Sequence, residues 1–555
     1  MKKSIKTFAA ALLLACASTG CFDLDKMPLD TISDKAVFAD EALTMAYMNN
    51  IYGYMPCGYG VSTVPGVDIV RTGGLGLTDL LDGSTDLLRS PAMWNESNGV
   101  MIPGTISPTY NPLEVWGNRY EVIRKVNNLL ANTGEGSALP DDFRMRVRSE
   151  ARFVRAYMYF DLVRRYGDVP LIRELMNYDN LQELLVPRDP VEKVYDFIYG
   201  ELCDITAEGC LPAAREMGAG ETGRASREAA WALNGRAMLF AERWEASAEQ
   251  SAKVLESGYH RLADDYNALF QSKGGDPEVI FEVLFDGVNK GHAADMLYMP
   301  PSLDNGWGSQ SCPTQELVDS YEMLDGTPFD WSNPEHAANP YEGRDKRLQG
   351  SIIVDGSTFK NKVIRTAYLV PDDGLGLIER TNSGYYIRKF LDESLPFEKL
   401  VGYGGSSTSW KEIRLAEVLL NYAEALNEAN QGPDAAGEAY EAMRRVRERA
   451  GLPELPAGLD YRGFRERIIQ ERKVELAFEG HRFWDLRRWR MAEEVLDGKY
   501  FHGMRITEDA EGRKTYDVFE INGVPRQVFL EKHYLMPINQ GEIEKNPNLA
   551  PNNGY

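Results

Sequence analysis

The sequence predicts a mostly α-helical protein built from stacked helix pairs of tetratricopeptide-like kind, with an irregular, loop-rich half carrying small β elements. Three observations predict this. Apolar residues recur at helical spacing through residues 34–55, 116–257 and 410–490. Residues 225–257 place small side chains where two consecutive helices cross. Between them, about 56–112 and 264–400 are richer in Gly, Pro, Asp and aromatic residues, the chemistry of loops and short strands.

Each element has its own signal. The first is an export segment. Lys2, Lys3 and Lys6 precede an apolar run over residues 8–17, too short to span a bilayer. Two cysteines close it. Cys16 has Leu13 three residues before it, which suits a lipoprotein cleavage site. Cys21 follows Ser18-Thr19-Gly20, leaves a fuller apolar region and is followed by the acidic Phe22-Asp23-Leu24-Asp25. Cys21 is the expected lipidated residue, so 1–20 is read as signal peptide and 21–555 as a single domain.

Residues 34–54 predict a helix that follows the tether. Trp116 to Asn132 is the next, and Asp141 to Tyr166 a long third, stopped by Gly167 and Pro170. Arg188-Asp189-Pro190 opens a fourth near 190–207. Residues 225–244 set Ala229, Leu233, Ala237 and Phe240 on one face, with 246–257 as the partner helix. Short β-like runs follow at 279–285 and 351–354. Helices are expected to resume at Trp410, where apolar residues surround the axis, then over 434–449 with Asp434 as N-cap and Gly451 as stop, and over 461–480. The Asn- and Pro-rich end, 534–555, is expected to wrap the surface.

The 555 residues have a formal net charge of −23, and about −26 once the three leader lysines are removed. That balance repels phosphate backbones and anionic lipid alike, so no nucleic-acid partner is expected and membrane attachment must be covalent or through another protein. A solvated surface accounts for most of the acidity. Cys57, Cys203, Cys210 and Cys312 show no metal spacing; Cys203 and Cys210 are near enough in sequence to pair, and buried thiols are the equal alternative. Six scattered histidines and the lack of a nucleophile elbow, phosphate loop or HExxH motif give no catalytic, metal or cofactor site.

Several stretches together resemble one family. Cys21-Phe22-Asp23-Leu24-Asp25 with Pro28 is similar to its lipidated start. Residues 152–172 (RFVRAYMYFDLVRRYGDVPLI), 225–239, 413–428 (IRLAEVLLNYAEALNE), 447–452 (RERAGL), 469–489 (IQERKVELAFEGHRFWDLRRW) and 534–555 (YLMPINQGEIEKNPNLAPNNGY) follow in the family's order. The chain resembles the SusD/RagB nutrient-binding outer-membrane lipoproteins of Bacteroidetes. The resemblance implies a right-handed superhelix of about four helix pairs and display on the cell surface. It also implies a SusC-like TonB-dependent transporter as partner and a non-catalytic role in capturing an oligosaccharide. A peptide or glycopeptide cargo, or a scaffold that binds only a protein, are the alternatives. The charged residues around 471–485 pair at helical spacings and are expected to be structural, Glu475 and His481 included.

Sugar capture needs exposed aromatic rings for the apolar faces of pyranoses and planar polar groups for their hydroxyls. Two loops supply both. One carries Asp79, Asp82, Arg89, Trp94, Asn95 and Asn98; the other Tyr298, Asp304, Asn305, Trp307 and Gln310. The expected ligand contacts are Trp94, Asn95, Arg89, Asp82, Tyr298, Asn305 and Trp307, with Trp331 and Trp410 as lesser candidates. Trp116, Trp231, Trp244, Trp484 and Trp489 are expected in the core.

Overall fold

A helix whose apolar residues cover more than one stripe must be buried by more than one neighbour. The chain meets that need by stacking. A computed structural model describes residues 33–59, 62–63, 80–303, 307–395 and 404–555. Its principal helices are α1 (Glu41–Tyr52), α2 (Trp116–Asn132), α3 (Asp141–Tyr166), α4 (Val191–Ala207), α5 (Arg227–Phe240), α6 (Trp244–Ser257), α7 (Leu415–Asn430), α8 (Glu438–Ala450), α9 (Tyr461–Glu475) and α10 (His481–Arg488). From α2 to α6 each packs on the next; α6 then packs on α7, which carries α8 and α9.

Local chemistry sets the ends. The Asp40 carboxylate accepts the Leu43 amide ahead of α1, and the Ser226 hydroxyl accepts the Ala229 amide ahead of α5. Gly167 stops α3 at φ +70° and Gly451 stops α8 at φ +80°, a backbone that side chains disfavour. The seam between α5 and α6 is as close as the small residues allow. A Cβ on Gly235 would meet the Ser251 hydroxyl at 2.8 Å, and the Ser247 hydroxyl donates to the Gly235 carbonyl at 2.8 Å.

The irregular half carries two-stranded pieces. Among the strands are β1 (Leu88–Arg89), β2 (Val279–Val283), β3 (Cys312–Pro313), β4 (Trp410–Arg414), β5 (His502–Glu508) and β6 (Lys514–Glu520). β1 pairs with β3, β2 with β4 and β5 with β6, all antiparallel. Ile352–Ile353 pairs with Tyr386–Ile387, at the expected β run.

Four boundaries differ from the sequence reading. The helix expected over 34–54 divides into Asp34–Val37 and Glu41–Tyr52, because Asp40 caps a new start. Residues 410–414 form a strand, because β2 supplies a partner from far upstream. The helix expected from 434 starts at Glu438; Asp434 still caps it, accepting the amides of Glu438 and Ala439 at 3.0 and 2.7 Å. The stretch 461–480 breaks after Glu475, where Phe478 (φ +70°) and Gly480 (φ +79°) turn the chain into α10.

Beneath the strands lies a buried ionic seam. Glu475 is fully buried and accepts from Arg347 at 2.8 Å, Arg414 at 2.6 Å and Arg449. Glu471 joins Arg347 to Arg447, and Glu479 joins Arg414 to Lys389. Burial alone would raise the Glu475 carboxyl, but the three arginines outweigh it and hold it well below the usual range. These carboxylates are fully engaged as structural ions. Cys203 and Cys210 remain separate thiols.

Candidate functional site

Pairing of β1 with β3 sets Leu88 opposite Pro313 and Arg89 opposite Cys312. The loop after β1 and the loop before β3 therefore leave the sheet side by side. The Asn95 amide fastens them, donating to the Ser90 hydroxyl at 2.5 Å and across to the Gln310 carbonyl at 3.2 Å. Asn98 donates to the carbonyls of Ser90 and Ala92, both at 2.9 Å, and so ties the first loop into a knot. In the second loop the Gln310 amide donates to the Trp307 carbonyl at 3.1 Å. A third segment joins them: the Ser309 hydroxyl donates to the Glu379 carbonyl at 3.3 Å, and Ser302 binds the Asp373 carboxylate through its amide and hydroxyl.

The rings stand on this base. Trp94 is 61% exposed and Trp307 46% exposed, and of the nine tryptophans only these two are exposed. Trp116, Trp410 and Trp484 are buried; Trp231, Trp244, Trp331 and Trp489 are partly covered. The sequence reading did not single out Tyr110, which is also exposed and donates its hydroxyl to Glu96 at 2.7 Å. Its signal was the Pro-Thr-Tyr-Asn-Pro turn, which the backbone pair of Ser107 and Tyr110 closes. Met93 and Ile378 add exposed apolar surface.

Four of the expected contacts, Arg89, Asp82, Asn95 and Tyr298, are buried rather than presented to solvent. Arg89 is only 2% exposed. Its guanidinium donates to the carbonyls of Thr85 and Leu88 and to Gln527 at 2.6 Å, and lies 4.2 Å from the Phe501 ring. Burial lowers its pKa to about 10, so it stays charged at neutral pH. Asp82 is buried and accepts the Gly480 amide at 3.2 Å, tying the first loop's base to the start of α10. Burial raises its carboxyl to about 7, and nearby Asp86 adds to that. Asn95 is buried in the loop contacts above, and Tyr298 is buried beside the helix Ala294–Leu297. Arg89 and Asn95 share a reason: a polar side chain in a loop is most often consumed by nearby loop backbone groups. Asn305 and Cys21, with Asp79 and Asp304, lie outside the described residues.

The exposed surface thus offers indole and phenol rings with the Glu96 carboxylate nearby. Among the described residues no group of three or more His, Cys, Asp or Glu is placed to hold a metal ion. No helix of the described residues is long and apolar enough to cross a membrane.

Comparison with known proteins completes the description. A family model described as the SusD family matches residues 277–555, and one described as "starch-binding associating with outer membrane" matches residues 82–239. The chain is 26% identical to SusD-like protein P2 of Formosa agariphila over 585 aligned positions, covering 100% of both chains. It is 24% identical to the starch-binding protein SusD of Bacteroides thetaiotaomicron, covering 100% of this chain and 99% of that one. A SusD-like carbohydrate-binding protein of Bacteroides fragilis superposes with a TM-score of 0.78 at 25% identity, covering 93% of this chain and 100% of that one.

Proposed function

The chain belongs to the SusD family, and on that premise we propose that it captures an oligosaccharide at the cell surface and passes it to a SusC-like TonB-dependent transporter. The family is one of binding proteins rather than enzymes, and its members bind carbohydrate. One observation carries the reading for this chain: its two solvent-facing indoles, Trp94 and Trp307, sit on adjacent loops fastened to each other through Asn95 and Gln310. A pyranose stacks its C–H face on such rings, and the Glu96 carboxylate supplies an acceptor for hydroxyls. Asn305 lies in the same second loop and is proposed to add a polar contact.

Stacking plus a few hydrogen bonds gives an affinity on the order of −4 to −8 kcal/mol, millimolar to micromolar. Calorimetry against purified oligosaccharides tests it. Trp94→Ala and Trp307→Ala are each expected to weaken binding about tenfold or more, equivalent to roughly 1.4 kcal/mol. The thermal midpoint should hardly move, because exposed side chains change stability by only about 0.5 kcal/mol. Unchanged affinity in both variants would sink the assignment.

A peptide or glycopeptide cargo is the second reading, favoured by the exposed apolar side chain of Met93, next to Trp94 in the chain. Apolar peptides in the same titration series decide between them. Membrane attachment is proposed through a lipid on Cys21. Cys21→Ala should release the protein from cells, whereas retention with loss only in Cys16→Ala would move the anchor.

A further inference from the structure

A second cavity is built on charge rather than on rings. It measures about 750 Å³ and lies where the ends of α3, α5 and α10 meet the start of α4 and the C-terminal stretch 531–553. It shares no residue with the two ligand loops. Arg487, in the last turn of α10, lines it and is buried. A buried guanidinium needs a carboxylate, or a set of carbonyls to accept its N–H groups. Among the described residues, the buried arginines other than Arg89, Arg344 and Arg487 are ion-paired. Arg89 is met by carbonyls and Gln527, and Arg344 by the carbonyls of Val318, Tyr321 and Pro340. Arg487 has neither arrangement. Its Nη1 donates to the Phe483 carbonyl at 3.1 Å, and its Nε is buried without a hydrogen-bond partner. The ring centroids of Phe483 and Phe529 lie 3.4 and 5.1 Å from it, so rings cover its face and leave its edge to a ligand.

The cavity wall does not supply the missing charge. Asp168, Glu192, Glu242 and Glu531 line it, and all four are exposed. Glu531 pairs with Arg490, Glu192 with Arg243, and Asp168 accepts the Val191 amide at 2.8 Å. None of the four acts on Arg487: burial lowers its pKa to about 9, and the groups that oppose this are the phenols of Tyr555 and Tyr534. The C-terminal end of α10 offsets roughly half an elementary charge. The cavity also holds a second cation without a carboxylate partner among the described residues, Lys532, whose ammonium lies 4.9 Å from the Tyr555 ring. Lys532 and Arg487 converge on one imidazole. After burial, they are the charges that hold His533 down at about 4.

We propose that this cavity is an oxyanion site, in which Arg487 with Lys532 receives the carboxylate or phosphate group of a small acid. Its volume suits a molecule the size of a monosaccharide. The site is independent of the ligand reading above. Calorimetry of the full chain against inorganic phosphate and against glucuronate tests it, in chloride buffer of constant ionic strength with glucose as the uncharged control. Saturable binding, millimolar or tighter, is expected for at least one acid. Phosphate alone assigns a phosphoryl ligand, and glucuronate assigns a carboxylate. Arg487→Met is expected to weaken binding about tenfold or more, and Arg487→Lys, which keeps the charge, to weaken it less. Should both variants fail to fold, the native chain decides. The bound acid adds negative charge beside His533, whose imidazole should then titrate at higher pH by NMR. No saturable heat with either acid, a response that added chloride reproduces, or equal binding of glucose overturns the site. So does a His533 titration that saturating acid leaves in place.

Discussion

Asp82 and Arg89 show how a single side chain can matter to a binding loop without touching cargo. Asp82 has a folded-state pKa of about 7 because it is buried, against about 3.8 when unfolded. The folded protein therefore holds a proton that the unfolded chain has lost over that interval. This contribution to stability is complete below about pH 4 and is lost as pH rises through 7. Gly480, Asp86, Arg482 and Lys389 are the groups that set the value. Asn cannot ionise, so the melting temperature of Asp82→Asn relative to the native protein should become more favourable from pH 5 to pH 8. A difference that is flat with pH would show that Asp82 does not carry the proton. Arg89→Ala leaves buried carbonyls and Gln527 without their donor. It should cost about 2–4 kcal/mol in denaturant unfolding and weaken binding as well. That pairing of effects separates it from the tryptophan variants, which lose binding alone.

At the scale of elements, the ionic seam under β4 is the most exacting part. Glu475→Gln removes the charge that three buried arginines share, leaving Arg347, Arg414 and Arg449 with only their remaining carboxylates, Asp345, Glu471, Glu278 and Glu479. A loss of about 3–5 kcal/mol is expected by urea titration. The same scale shows what the sequence could tell. Trp116–Asn132 and Asp141–Tyr166 are found to the residue, because helical period and stop chemistry are both local. β4 is not, since the Trp-Lys-Glu-Ile-Arg stretch reads equally as the first turn of the helix after it until Val279–Val283 is known to lie beside it. The hairpin β5–β6 alternates apolar and polar residues on its first strand, a signal present in the sequence and passed over. At the site, the exposure of Trp94 and Trp307 follows from a loop context visible in the sequence. The burial of Arg89 does not, because its acceptor Gln527 lies 438 residues away.

The whole molecule adds a long-range field. A net charge of −23 surrounds the site, and Glu96 lies within it. Neutral oligosaccharides should therefore bind better than sulfated counterparts of the same backbone. The gap should narrow as ionic strength rises, since added salt screens the repulsion. Titration of a matched pair at low and physiological salt checks this; a sulfated form that binds tighter at low salt would refute it.

Asn95, Asn98 and Arg89 have already frozen the segment on which Trp94 stands. A passing polymer thus meets rings that need no rearrangement to receive it, and arrival loses little entropy to the receptor side. Encounter should run at similar speed for many cargoes. Discrimination among them then resides in dwell time, so that residence, not recruitment, decides what travels onward.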